Sequence, residues 1–392
     1  GKKTMIPTAL SQLIEQIINA VVSIAASYFF MKKYSASSNV EAYGAAGSTL
    51  GTCIGALSSF IFLAFIYIIY RPTMKKQISH DTTGNEVPYK TLFSLLIITI
   101  IPVILSQTVY QITGVIDGSL YGHIMAGKGI EEEIRDNMYG EYGYYMTLTN
   151  LPVAIASAMA ASIVPSIVSA FSRKDKRELH EKINSSIHFN MIIAFPCAVG
   201  MGVLAGPILQ LIFPGASDLG AGLLGAGSIA IIFFALSTIS NGILQGINKM
   251  RVPVINSAIS VVIHVIIVVI ALQVFDMGTY GLVLGNVTFA LTVCIFNWMS
   301  IRKYLDYKQE VKKTFVIPAV SSAIMGVVTW LIYQGIHLLT HSNIISTILS
   351  IIIAVIVYFA TLLLLKGVDE DDLDGFPLGR TLLRLALKLH LL

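Results

Sequence analysis

Apolar residues follow one another along this chain in ten stretches of about 20 residues or more, separated by short polar segments. A helix needs about 20 apolar residues to cross the hydrocarbon core of a bilayer. The predicted spans are 6–31, 42–70, 91–121, 142–171, 186–213, 223–247, 252–274, 279–301, 314–337 and 343–366. The pattern therefore predicts an all-α polytopic membrane protein with about ten transmembrane helices.

Polar residues interrupt the first span with the period of a helix. Residues three or four apart share one helix face, and the polar ones on that face are Thr8, Gln12, Glu15, Asn19, Ser23 and Ser27. A carboxylate at bilayer depth costs at least about 2.5 kcal/mol on insertion scales, and intramembrane acids usually mark ion or substrate paths. We therefore expect this stripe to line a water-filled cavity between two lobes, with hydrogen bonding between helices as the alternative.

The third span repeats this arrangement. Its polar residues at helical spacing are Thr99, Ser106, Tyr110, Thr113 and Asp117. Pro102 should kink the helix because proline breaks the backbone hydrogen-bond ladder. The span is long enough to bring Asp117 close to the membrane surface, so two interpretations of this acid stay open: a cavity acid, and a solvated or capping acid.

Later spans carry weaker polar stripes. They comprise Ser237, Asn241, Gln245 and Asn248 in the sixth span, Asn256, Ser260 and His264 in the seventh, and Asn286 and Asn297 in the eighth. We interpret His264, within VVIHVIIVV, as a packing histidine rather than a proton carrier. Gly47, Gly51 and Gly55 form a GxxxGxxxG ladder in the second span, which favours close helix packing.

Composition and charge support this class and suggest an orientation. The chain is 55% hydrophobic and 12% charged, with a mean hydropathy of +0.76, whereas soluble domains carry about 25% charged residues. With the N-terminus inside, 22 of the 26 Lys and Arg residues fall on the inner side, and only Lys32, Lys33, Lys128 and Arg135 fall outside. The positive-inside rule therefore predicts that both termini of this chain are cytoplasmic.

The sequence gives no sign of enzymatic chemistry. It contains no P-loop, HExxH, paired CxxC, GxSxG or dinucleotide fingerprint, and its polar loops are too short to fold a catalytic domain. Cys53, Cys197 and Cys294 lie in apolar runs, so no disulfide framework is indicated. Topology explains the basic loops better than nucleic acid does, so we expect no enzyme, no metal site and no nucleic-acid partner.

The first helix pair resembles the seventh and eighth helices. Pro7 pairs with Pro253, and the dipeptide Tyr43-Gly44 pairs with Tyr280-Gly281. Repeats of about half a transporter are common and point to the transport site. Four helices precede the second pair and none precedes the first. If the repeating unit has six helices, we expect the chain to be N-terminally truncated by roughly 150 residues.

Several segments in this order resemble the MurJ/SpoVB branch of the MATE-like flippase superfamily, as found in Firmicutes polysaccharide biosynthesis proteins. They are PTALSQLIEQI, GPILQLIFPG, FFALSTISNGILQGINKMRVPVINSAIS, YGLVLGNV and LLLLKGVDEDDLDGFPLGRTLLRL. The resemblance implies helices 5–14 of a 6+6+2 fold. The implied parts are the last two helices of an N-terminal lobe (1–70), an inter-lobe loop (71–90), a six-helix C-terminal lobe (91–303), two additional helices (304–366) and a cytoplasmic amphipathic tail (367–392).

The same resemblance implies a function. It implies a flippase that moves lipid II, or a related undecaprenyl-linked oligosaccharide, across the bacterial cytoplasmic membrane by alternating access. The two additional helices would form a groove for the lipid tail. Expected partners are the lipid-linked saccharide, membrane lipids and the cell-wall synthesis machinery. Arg380, Arg384 and Lys388 of the tail are four residues apart, which predicts an interfacial helix on the anionic cytoplasmic leaflet, with a partner-binding helix as the alternative. We expect no cofactor, and leave a coupling cation or the membrane potential open as the energy source.

One departure from the family shapes the candidate site. Well-known members place arginines in the cavity, but the spans of the second lobe contain none here. We therefore expect Glu15 to serve cation or proton coupling, or a contact between lobes. The candidate residues for the cavity, substrate or coupling ion are Glu15, Gln12, Asn19, Asp117, Tyr110, Asn241, Gln245 and Asn256. The alternative function is a cation-coupled multidrug exporter of the same fold.

Overall fold

A computed structural model describes residues 6–37, 39–80 and 88–368, without the side chains of residues 6, 8, 9, 99, 102, 103, 106, 107 and 161. These ranges are helical and contain no strand. The helices are α1 (Ile6–Lys33), α2 (Val40–Ser79), α3 (Tyr89–Gly127), α4 (Glu132–Ser172), α5 (Lys176–Val203), α6 (Ala205–Ile212), α7 (Asp218–Gly227), α8 (Ala230–Gly246), α9 (Arg251–Gln273), α10 (Thr279–Leu305), α11 (Ile317–Thr340) and α12 (Asn343–Leu364). A π-helical turn, Lys312–Val316, leads into α11.

The predicted fold class is confirmed. Eight helices in the described ranges are long and apolar enough to cross a membrane, and α7 with α8 makes a ninth span that is bent by 46°. The predicted span 91–121 falls on α3, which runs without a break from Tyr89 to Gly127. The bend was not predicted, because a hydropathy pattern records length and polarity but not helix direction.

Several helices are longer than the predicted spans, α2 and α4 by the most. Helix α2 continues past residue 70 to Ser79, and α4 begins at Glu132 instead of 142. Backbone hydrogen bonding can continue beyond the hydrocarbon core, and acidic residues such as Glu132 and Glu133 in a first turn favour the helix dipole. Apolar length therefore predicts the spanning part of a helix but not its ends.

The chain divides into two compact units, Gly1–Tyr89 (unit 1) and Lys90–Leu392 (unit 2). In unit 1, α1 and α2 pack as a hairpin along the predicted glycine ladder, in which Gly44, Gly47, Gly51 and Gly55 are buried. A Cβ atom at Gly47 would lie 2.5 Å from the backbone nitrogen of Ser27. The two backbones therefore approach as closely as only glycine allows, which confirms the packing interpretation.

Replacing Gly51 with valine is expected to separate α1 from α2. A Cβ at this position would lie 2.1 Å from Oγ and 2.6 Å from the backbone nitrogen of Ser23, so a helix backbone has to move. Overpacking of this kind typically costs about 1–3 kcal/mol. The measurement is the thermal unfolding midpoint in detergent, with Ala46→Val on the exposed face of α2 as the control. Equal midpoints for the two variants would contradict the tight contact.

Unit 2 is built around three apolar clusters. One lies between α4, α5 and α8, a second joins α3, α4, α6, α7, α9 and α10, and a third joins α5, α11 and α12. Tyr121, Tyr139, Tyr142 and Tyr145 form a continuous ring ladder in the second cluster, with successive centroids 5.6–5.7 Å apart. This ladder fixes α3 against α4 and leads directly to the polar groups described next.

Candidate functional site

The most deeply buried charged group among the candidates is Asp117 of α3. Its side chain is paired with His264 of α9, with 2.7 Å between Oδ1 and Nε2, and each residue is 1% exposed. Tyr142 of α4 donates a longer hydrogen bond of 3.5 Å to the other carboxylate oxygen. The structure therefore excludes a solvated or capping role for Asp117.

The histidine fits because a glycine faces it. A Cβ atom at Gly285 of α10 would lie 2.9 Å from Cε1 of His264. The ring also meets Phe289 edge to face, with centroids 5.9 Å apart. Three helices thus fix the imidazole opposite the carboxylate. The short contact between Asp117 and His264 therefore holds both polar side chains in place inside the helix bundle.

A second polar group is a chain of amides that crosses unit 2. Asn241 of α8 donates to Tyr110 Oη at 3.0 Å and accepts from Asn297 of α10 at 2.7 Å. Asn297 in turn accepts from Asn256 of α9 at 2.9 Å and donates to Ser240 at 2.9 Å. Buried amides are costly unless they are hydrogen-bonded, and this chain pairs them while linking four helices.

One end of the amide chain opens into a pocket of about 200 Å³, here called the amide pocket. Tyr110, Asn241 and Gln245 line it together with Ser157 and Thr238. The structure thus brings three of the predicted site residues to one surface. Asn256 lies behind them, bonded to Asn297 and to Ser300 at 3.2 Å, so it acts on the pocket only through its neighbours.

The polar stripe of α1 is divided between two environments. Ser23 donates to the carbonyl oxygen of Ser48 at 2.9 Å, and Ser27 donates to that of Gly44 at 2.8 Å, so both serines bond across to α2. Asn19 is half-buried and accepts from Ser23 at 3.0 Å. The alternative interpretation, hydrogen bonding between helices, therefore applies to this half of the stripe.

The other half of the stripe is more open. Glu15 is half-buried and Gln12 is exposed. Only the backbone of Glu15 enters the helix contact, since its carbonyl oxygen would lie 2.9 Å from a Cβ at Gly55. The carboxylate of Glu15 forms no hydrogen bond or ion pair with any described residue. The side chain of Thr8 lies outside the described residues.

An apolar pocket of about 320 Å³ lies between α5, α6, α11 and α12. Its lining includes Ile192, Met201, Met325, Val355 and Phe359. It contains no charged side chain, and Thr329 and Tyr358 are the polar members. The pocket is therefore suited to a hydrocarbon chain.

Sequence reasoning missed two members of the site. His264 was interpreted as a packing residue rather than a proton carrier, and the structure does pack it against Gly285 and Phe289, but its pairing with Asp117 was not predicted. Tyr142 was not singled out. The signal for His264 was its place four residues after Ser260, on the same stripe as Asn256. Other sequence predictions concern groups outside the described residues. These are the side chains of Thr99, Pro102 and Ser106, and the tail beyond residue 368 with Arg380, Arg384 and Lys388. Within the described ranges, no group of three or more His, Cys, Asp or Glu could hold a metal ion.

Comparison with known proteins gives consistent matches. The family described as lipid II flippase MurJ matches residues 10–353. Lipid II flippase MurJ of Bacillus subtilis (strain 168) is 26% identical over 332 residues, which are 83% of this chain and 60% of that protein. Stage V sporulation protein B of the same organism is 21% identical over 386 residues, which are 98% of this chain and 72% of that protein.

A solved structure shows the same fold. It is that of lipid II flippase MurJ in an inward closed conformation, with a TM-score of 0.59 and 18% identity, covering 91% of this chain and 66% of that chain. The chain therefore spans about three fifths of the first of these relatives and two thirds of the solved structure.

Proposed function

The chain belongs to the MurJ lipid II flippase family, and from this premise we propose that the whole protein is a flippase and not an enzyme. Its substrate is a lipid-linked cell-wall precursor, lipid II or a related undecaprenyl-linked oligosaccharide, which it moves across the cytoplasmic membrane by alternating access. The observation that carries the proposal is the family match over residues 10–353, which includes helices of both units.

Polar groups of both units serve the headgroup in this proposal. A sugar-bearing headgroup cannot cross hydrocarbon without polar partners, since each unpaired polar group costs several kcal/mol there. Unit 2 offers the amide pocket with Tyr110, Asn241 and Gln245. Unit 1 offers the open half of the α1 stripe with Gln12 and Glu15. Asn256 orients Asn241 through Asn297, and Asn19 lies one turn from Glu15 on the same stripe.

The apolar pocket between α5, α6, α11 and α12 receives part of the polyprenyl tail. Apolar lining with no charged side chain supports this assignment. It extends the groove proposed for the two additional helices, α11 and α12, to α5 and α6. A tail held there stays in hydrocarbon-like surroundings while the headgroup moves.

Orientation and energy source complete the proposal. The distribution of Lys and Arg supports cytoplasmic termini for this chain and places the loops after α2, α4, α8 and α10 on the cytoplasmic side. Transport is driven by a coupling cation, a proton or the membrane potential, and unit 2 contributes the buried Asp117–His264 pair to this coupling. The cell-wall synthesis machinery supplies the substrate and consumes the product.

The test is rescue of a bacterium depleted of its own lipid II flippases. Expression of the whole protein should restore growth and cell shape, because precursor again reaches the outer leaflet. Membrane insertion is checked by fractionation, and a soluble fusion tag reports expression level. Resistance to cationic dyes without rescue, at equal membrane levels, would instead identify a cation-coupled drug exporter and reject the flippase.

A further inference from the structure

A second polar pocket, of about 840 Å³, opens where α4 ends, α5 begins and α8 and α10 end. We call it the basic pocket, because Lys174, Lys176 and Lys303 line it. Gln245 and Asn248 add amide groups at the end of α8, and apolar side chains of α4 and α5 complete the wall. The pocket thus combines ammonium donors, amides and hydrocarbon at one end of the helices.

The three lysines are available for a ligand. All three are exposed, and none forms an ion pair with a described residue. The neighbouring arginines are different, since Arg173 pairs with Glu178 at 2.5 Å and Arg177 pairs with Glu181 at 2.9 Å. Glu178 and Glu181 are therefore paired with arginine and not with the three lysines.

Two carboxylates also line the basic pocket, and each belongs to a helix end. Asp175 caps α5 by accepting from the backbone nitrogen of Glu178 at 3.0 Å. Asp306 ends α10 in the left-handed conformation, with φ of 50°. His180 ties the two ends together, with Nε2 3.1 Å from the carbonyl oxygen of Leu305. Three ammonium groups against two carboxylates leave the walls positive.

The basic pocket adjoins the amide pocket along α8. Gln245 lines both, and Asn241 of the amide pocket lies one helical turn from it. On α4, Val168 lines the basic pocket and Val164, one turn away, lines the amide pocket. A ligand held by the lysines would therefore lie next to the polar groups of the amide pocket.

We propose that the basic pocket binds the diphosphate of the lipid-linked substrate, as the first contact of the headgroup with unit 2. Ammonium groups bind phosphate as compact point charges, and basic pockets between helices at the cytoplasmic face of membrane proteins hold lipid headgroups. The predicted spans of unit 2 contain no Lys or Arg before Lys366, the last residue of the last span, so its cations for a phosphate lie at the helix ends. This inference rests on the proposed flippase function.

The experiment measures binding of undecaprenyl diphosphate to the whole protein in phosphatidylcholine nanodiscs. The test variant carries Lys174→Gln, Lys176→Gln and Lys303→Gln. The control variant carries Lys182→Gln, Lys308→Gln and Lys312→Gln, which remove the same charge from exposed positions outside the pocket. We expect affinity to fall about ten- to hundredfold in the test variant and to stay within about twofold of wild type in the control.

The possible outcomes separate this inference from the function on which it rests. Wild-type binding with equal affinity in the test variant would overturn the pocket and leave the flippase intact. Failure of the wild type to bind would reject both. Displacement of the probe by inorganic diphosphate at equal concentration would assign the pocket to a free phosphate compound. If the test variant loses binding to phosphatidylglycerol vesicles but keeps its affinity for undecaprenyl diphosphate, the pocket belongs to a membrane phospholipid. Either of these last two results overturns the proposal.

Discussion

Replacing Asp117 with alanine is expected to destabilise unit 2 by about 3–5 kcal/mol, because it removes one partner of a buried charged pair and leaves the other without compensation. His264 is 1% exposed and has its Nε2 directed at the lost oxygen, 2.7 Å away. The loss should therefore exceed that of a polar-to-alanine change at an exposed position of unit 2.

The measurement is denaturant unfolding in detergent, followed by the fluorescence of Trp298 and Trp330, both of which lie in unit 2. Thr147→Ala, which removes an exposed hydroxyl bonded only to its own helix, is the matched control. The pair is tested further by a double-mutant cycle with His264→Ala, for which a coupling of about 1–3 kcal/mol is expected. Additive losses would mean that the two side chains do not interact.

Replacing Glu15 with glutamine is expected to abolish rescue of flippase-depleted cells without lowering the amount of protein in the membrane. Glutamine keeps the shape and hydrogen-bonding capacity of glutamate but cannot carry a charge or bind a coupling cation as a carboxylate does. Glu15 is half-buried in α1, and its carboxylate forms no ion pair with a described residue. A carboxylate at bilayer depth costs free energy, and one that has no ion-pair partner among the described residues indicates a role in transport.

A control on the same helix separates the charge from the helix surface. Gln16→Ala changes the next residue, which is exposed on a different face, and should leave rescue unchanged. Glu15→Asp retains the charge and should rescue in part. Full rescue by Glu15→Gln would remove this carboxylate from the mechanism and leave Asp117 as the acid to examine for coupling.

The glycine ladder and the helical spans could be predicted because each depends on residues close in sequence. A run of about 20 apolar residues has one stable arrangement in a bilayer, in which the backbone satisfies its own hydrogen bonds as a helix. Glycines four apart lie on one face, so Gly47, Gly51 and Gly55 had to meet a neighbour together. The bend between α7 and α8 and the extension of α2 to Ser79 depend on packing and solvent at the helix ends, which the spacing does not encode.

The candidate site shows the same division. Periodicity placed Tyr110, Asn241 and Gln245 on polar faces, and the structure brings them to one pocket. Periodicity could not predict that Asn256 lies behind that pocket, because the spacing of polar residues does not show which helix packs against their face. Ser23 and Ser27 were equally suited to a cavity by their spacing, and their bonds to α2 decided otherwise.

The sequence by itself determined that this protein is a bundle of membrane-spanning helices, because apolar length and backbone hydrogen bonding leave one solution in lipid. Only the tertiary structure decided which polar side chains meet. Asp117 and His264 are 147 residues apart, and they became partners because α3, α9 and α10 pack with Gly285 against the imidazole. A buried charge requires a partner. Helical periodicity predicts which face of its own helix the charge lies on, but the partner residue depends on which distant helix packs against that face.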